Sequence, residues 1–370
     1  MLTSVRNYYI FFLIVIFLSC QKKTPGEIIL KGYITNLTGQ KIYITDANDW
    51  EVFIDSALCK NGKFEFALDT SKYDPFLASI CYLDKRGEIK QISVINYKRT
   101  NGKDTFANTG FRLSFGTTEI SGDHNDRFHR VSLKPNSEND LYFDPKIENY
   151  WGPKNISSVE RAIFRNPQSY FLLQKTHQTK HLFQKAQLKK LLSLFDEKIL
   201  LSPYAKEIDG YADFILENEQ LPASIILNNE HSGMSDLFYD SPKLSMLVFW
   251  ASWCGPCRME IPQLKSLYAN FEQTGIVIKS ISIDEDSLNW KKAVKEEKMP
   301  WQQFLIPHKD IIKIKAQFLI GAVPTVVFVS RDRTIVKKFV GFSEKNVEEY
   351  KYFITEYLTK DSVRRELRQE

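Results

Sequence analysis

The chain has 370 residues, 43% of them hydrophobic and 13% aromatic, which is enough for more than one core and excludes a disordered chain. Its 50 Lys and Arg against 45 Asp and Glu leave a net charge of +5. The basic residues are scattered rather than gathered on one face, so nucleic acid is not expected as a partner.

The first element is an uninterrupted apolar run from Tyr8 to Leu18, preceded by one basic residue, Arg6. It is about half the length of a bilayer-spanning helix and reads as a signal peptide over residues 1–19. "FLSC" at its end resembles a bacterial lipobox, which implies that Cys20 is lipidated and anchors the chain. The alternative is an ordinary signal peptide followed by a coincidental cysteine. Residues 20–26 form a short tether, and Gln21, where an acidic residue would resemble an inner-membrane retention signal, favours the outer membrane. Either way the expected location is the periplasm or cell envelope, where disulfides persist.

Residues 27–122 read as a small all-β sandwich or barrel. "EIILKGYI" places Ile28, Leu30 and Ile34 on one face. Val52, Ile54 and Leu58 alternate up to Asn61-Gly62, and Phe64, Phe66 and Leu68 resume beyond it, the pattern of a hairpin. Residues 123–219 read as helical from apolar residues at three- and four-residue spacing, with Ser202-Pro203 opening the last helix.

Residues 220–360 read as βαβ. "LSMLVFWA" is a nearly continuous apolar run, as in a strand buried on both faces. The sequence Cys254-Gly255-Pro256-Cys257 follows and opens a helix that runs to about Phe271, with Pro262 inside it. "GIVIKSISID" is a second buried strand, "SLNWKKAVKEEK" and "DIIKIKAQFLI" are helices, and "TVVFVS" and "IVKKFVG" form a hairpin. An amphipathic closing helix, with Ser343 as its N-cap, precedes a charged tail over 361–370.

Cys254 and Cys257 point to thiol–disulfide exchange. A thiolate at a helix N-terminus is stabilised by unpaired backbone N–H groups and the helix dipole. Cys254 is therefore expected as the exposed nucleophile, and Cys257, one turn on and more covered, as the resolving thiol. Trp250 and Trp253 would supply an apolar surface for a docking peptide. A second ligand pair for zinc is missing at compatible spacing, since Cys59 and Cys81 are singletons. These two either form a disulfide or remain buried thiols. His177 and His181 have the spacing of a metal pair but lack a third ligand and read as part of a surface helix. There is no phosphate loop and no dinucleotide fingerprint, so no cofactor is expected and electrons must come from another protein.

Residues 220–360 resemble the thioredoxin fold, and more narrowly the TlpA/ResA-like membrane-associated thiol–disulfide oxidoreductases, through "FWASWCGPCRMEIPQL" and "GAVPTVVFV". The whole chain resembles Bacteroidetes lipoproteins that place a β-rich domain of unknown function and a helical segment before such a domain. The resemblance implies a cis bond at Val323-Pro324 and a substrate-binding surface of Trp250, Trp253, Gly255, Pro256, Val323 and Pro324. The buried strand aspartate of thioredoxins is replaced by Val248, while Glu260 occupies the position of a family glutamate three residues after the second cysteine. Glu260 is then expected to tune the thiols and relay protons; the competing reading is a solvent-exposed helical glutamate. The implied activity is reduction of protein disulfides, with a membrane or periplasmic electron donor. A peroxiredoxin is the sharper rival among enzymes, but Leu247 and Ala251 stand where its signature has proline and threonine. A ligand- or partner-binding lipoprotein with a redox-regulated thioredoxin domain is the rival from another class.

Overall fold

The computed structural model describes residues 27–96, 107–124 and 131–366, apart from 217, 219 and 241. The signal peptide, Cys20 and the tether lie outside the described residues. No described helix is long and apolar enough to cross a membrane. The chain divides into two compact units, Met1–Asn136 and Ser137–Glu370.

The first unit holds β1 (Ile28–Ile34), β2 (Lys41–Asp46), β3 (Asp49–Leu58), β4 (Lys63–Leu68), β5 (Phe76–Leu83), β6 (Ile89–Gln91), β7 (Val94–Asn96), β8 (Ala107–Asn108), β9 (Gly110–Leu113), β10 (Gly116–Gly122) and β11 (Val131–Leu133). They form one sheet of order β4-β1-β10-β11-β7-β8 and another of order β3-β2-β5-β6, with β9 against β5. Ile28, Leu30 and Ile34 are buried, as the alternation requires. Asn61 and Gly62 take left-handed φ values of 52° and 77°, so the turn forms. The hairpin itself does not extend: β3 pairs with β2 and β4 with β1, leaving only the Lys60–Lys63 bridge between them. Burial explains the split, because Phe64, Phe66 and Leu68 are covered while Val52, Phe53 and Leu58 stay exposed. Cys59 and Cys81 are buried free thiols, which removes the disulfide alternative. Burial raises both pKa values, that of Cys81 to about 11.

The interval expected to be helical from residue 123 starts with strand β11, which pairs with β10 and β7. The helices begin only with the second unit: α1 (Ser137–Tyr142), α2 (Pro145–Tyr150), α3 (Ile156–Arg165), α4 (Tyr170–Thr179), α5 (Lys185–Leu192), α6 (Glu197–Leu200) and α7 (Pro203–Phe214). Ser202 caps α7 by accepting from the Ala205 N–H at 3.2 Å. Rather than standing apart, these helices share a unit with the sheet that follows.

That sheet contains β12 (Ile226–Asn229), β13 (Met234–Asp236), β14 (Leu244–Trp250), β15 (Ile276–Ser282), β16 (Gln302–Leu305), β17 (Thr325–Ser330) and β18 (Ile335–Val340), in the order β13-β12-β16-β15-β14-β17-β18. The central strands β14, β15 and β16 are parallel, and every residue of β14 is buried. Helices α8 (Gly255–Phe271), α9 (Ser287–Glu297), α10 (Ile311–Gln317) and α11 (Asn346–Glu366) complete the unit. Leu264 and Leu267 of α8 share one core with Val347, Tyr350 and Ile354 of α11, whereas Ile314 of α10 enters another. Helix α11 starts at Asn346 rather than directly after Ser343 and runs through residues expected as tail, to Glu366.

Candidate active site

β14 ends at Trp250, at the carboxyl edge of the parallel strands where α/β sheets place their ligands. A three-residue turn carries the chain to Cys254, whose N–H donates to the Ala251 carbonyl at 3.1 Å. The Cys254 carbonyl accepts from the Arg258 N–H at 3.1 Å, so Cys254 holds the N-cap position of α8. Its Sγ accepts from the Cys257 N–H at 3.2 Å. A sulfur that accepts from an unpaired N–H at the positive end of a 17-residue helix is stabilised as a thiolate.

Cys254 and Cys257 are joined in a disulfide. Cys254 is 4% exposed and Cys257 2%, so the expected exposure of the first sulfur is corrected. The bridge packs among Trp250, Ala251, Ile261, Trp290, Ala293 and Leu305, with Val323 against the same cluster. Trp250 is itself only 2% exposed and supports the site from beneath; it cannot be a docking surface. Trp253, by contrast, is 68% exposed. Gly255 and Pro256 are also exposed, Val323 is half-buried, and Pro324 is buried. The Val323–Pro324 bond is cis, as the resemblance implies.

Glu260 lies one turn after Cys257 and is 1% exposed, which removes the solvent-exposed reading. Tyr350 donates its hydroxyl to Glu260 Oε1 at 2.8 Å, while Oε2 is buried without a hydrogen-bond partner. Burial raises the Glu260 pKa; Tyr350 and Asn346 pull it back. Val248 is buried in β14, so no carboxylate stands at that point of the strand.

Asp284 escaped the sequence reading. It follows β15, whose Ser282 pairs with Trp250, and its buried carboxylate holds the turn before Cys254. Oδ2 accepts from the Ser252 N–H at 2.9 Å, Oδ1 from Ser252 Oγ at 2.6 Å, and Oδ2 again from Ser282 Oγ at 2.5 Å. A carboxylate ending the strand beside the CxxC strand is the signal that would have found it. The two histidines do not form a pair: His177 Nε2 meets Glu207 at 2.6 Å, whereas His181 packs against Gly321 beside the cis-proline segment.

A dithiol at this strand-to-helix turn, flanked by a cis-proline segment, defines a thioredoxin-like domain, and residues 242–335 match the thioredoxin-like family model. Among individual proteins, this region is similar to the thiol-disulfide oxidoreductase ResA of Oceanobacillus iheyensis, 34% identical over 84 residues, covering 23% of this chain and 42% of that one. It is 30% identical over 99 residues to ResA of Bacillus cereus, covering 27% of this chain and 56% of that one. The chain thus spans about half the length of these relatives. The solved thioredoxin domain of a thiol-disulfide oxidoreductase from Bacteroides vulgatus is 25% identical, covering 37% of this chain and 98% of that one, with a TM-score of 0.34.

Proposed function

We propose that this chain is an extracytoplasmic, membrane-anchored thiol–disulfide oxidoreductase that reduces protein disulfides. The observation that carries this reading is the Cys254–Cys257 disulfide at the N-terminus of α8, with the Cys257 N–H on Cys254 Sγ. The ResA name borne by its relatives supports the same chemistry.

In this reading the reduced Cys254 thiolate attacks a substrate disulfide and forms a mixed disulfide. Cys257 then attacks Cys254 and releases the second substrate thiol, and a membrane or periplasmic dithiol donor restores the pair. Glu260 is the proton acceptor nearest in sequence. Trp253, Gly255, Pro256, Val323 and Pro324 form the rim that receives an extended peptide. Cys20 is the lipid anchor, to the outer membrane, and keeps the domain in the periplasm.

The test is the reduction potential of the Cys254–Cys257 couple in glutathione or dithiothreitol buffers. A reductase is expected near the thioredoxin value of about −270 mV, and a value near about −120 mV would assign an oxidase instead. With Cys257→Ser, mixed disulfides to partner proteins should accumulate on Cys254 and vanish on reduction.

A further inference from the structure

The closing helix contributes to the site through one buried hydrogen bond. Tyr350, on α11, is 1% exposed and donates to Glu260 Oε1 at 2.8 Å across sequence. Its ring is held on two sides, with centroids 5.0 Å from Phe339 and 6.0 Å from Phe328. The hydroxyl is therefore aimed by packing rather than by chance rotation. Oε2 of the same carboxyl is buried and has no hydrogen-bond partner. An unpartnered buried carboxylate oxygen is costly, and a catalytic role is one reason a fold retains such an atom.

We infer that Tyr350 is a positioning residue for the resolving step, engaging Oε1 so that Oε2 is the oxygen left to take the Cys257 proton. This rests on the oxidoreductase reading proposed above. In the step, the Cys257 thiol gives its proton to Glu260 Oε2 and its sulfur attacks Cys254 Sγ. The Cys254–Cys257 bond forms as the bond from Cys254 to the substrate breaks. The electron pair leaves on the substrate sulfur, which takes a proton from water. The enzyme loses two electrons and the substrate disulfide gains them.

The groups around this pair are few. Cys257 lies one helical turn from Glu260, and α11 adds Asn346, whose side chain acts on both Glu260 and Tyr350, and Glu349, whose charge acts on Tyr350. The sheet face in the same core presents Met246, Val248, Val326 and Phe328, with the buried hydroxyl of Ser280 beside Val248 and held by Trp301. A change in the pH dependence of resolution thus reports on the Glu260–Tyr350 pair.

The test uses the full-length reduced chain and 5,5′-dithiobis(2-nitrobenzoate), an aromatic disulfide that releases one coloured thiolate on attack by Cys254 and a second on resolution by Cys257. Each variant's first phase is the internal reference. Losing the donor to a carboxylate raises its pKa, so Tyr350→Phe should move the pH midpoint of the second phase up by about one unit relative to the first. Glu260→Gln should slow the second phase and flatten its pH dependence. An unchanged second-phase midpoint in Tyr350→Phe, with Glu260→Gln still impaired, overturns the role of Tyr350 alone. An unchanged second phase in both variants overturns Glu260 as the base, and no first phase in the parent chain overturns the oxidoreductase reading. If Tyr350→Phe does not fold, the infrared band of the protonated Glu260 carboxyl, assigned by its loss in Glu260→Gln, is read in the parent chain. A frequency typical of a hydrogen-bonded carboxyl supports the pairing, and that of a free carboxyl overturns it.

Discussion

Asp284 accepts from the backbone and hydroxyl of Ser252, two residues before Cys254. Asp284→Ala would leave the part-buried N–H and hydroxyl of Ser252 and the buried hydroxyl of Ser282 without their shared acceptor, at a cost of about 2–3 kcal/mol in urea unfolding. Thiol exchange should slow in parallel, because the turn that presents Cys254 loses its tie to β15. An unchanged unfolding midpoint would show that the turn holds itself. The cysteines that form the disulfide were legible from spacing alone, since CxxC between an apolar strand and a helix has few other uses. Asp284 was not, because its partner lies on another strand and only strand pairing brings Ser282 beside Trp250. The same applies to Trp250 and Trp253: three positions apart, one is buried as the last residue of β14 and the other exposed in the turn that follows.

At the scale of elements, the helical segment reaches the edge of the active site. A Cβ built on Gly321 would lie 2.0 Å from His181 Cδ2, so the glycine is required by the imidazole resting on it. Helix α7 meets α10 in the same region, where Tyr211 donates to the Lys315 carbonyl at 3.4 Å. Gly321→Ala should destabilise the chain by about 1–3 kcal/mol through overpacking. His181→Ala should recover most of that loss in a double-mutant cycle on thermal unfolding. Additive effects would show that the two residues do not share this contact. Element types were mostly legible, because the period-two and helical patterns are local properties. Two exceptions have a common cause. The Asn61-Gly62 turn forms as its sequence demands, yet β3 and β4 join different sheets, since pairing follows burial of Phe64, Phe66 and Leu68. Strand β16, "QQFL", is too short and too polar to announce itself and is a strand because β12 and β15 flank it.

For the molecule as a whole, charge is placed where burial makes it costly. Lys180 donates to the His177 carbonyl at 3.0 Å and lies 5.6 Å from the centre of the Tyr211 ring. Burial lowers its pKa to about 8, with Lys315 adding to the effect and Glu207 opposing it. The unfolded lysine titrates near about 10.4. The folded chain therefore bears the cost of this charge below pH about 8 and loses it as pH rises through about 10.4. Lys180→Met should raise the melting temperature most at neutral pH, with the gain shrinking across that window. A pH-independent gain would assign the effect to packing instead. The sequence by itself determined the cysteine pair, the helix N-terminus that holds it and the thioredoxin-like class of the region around it, matched over residues 242–335, because those depend on neighbours within one or two turns of chain. Tertiary structure alone decided that Cys59 and Cys81 stay apart, that Glu260 is buried against Tyr350, and that the helices from Ser137 belong with the sheet rather than between two domains. Each of these depends on contacts between residues far apart in sequence, and burial of apolar surface, which has no local signature, selects them.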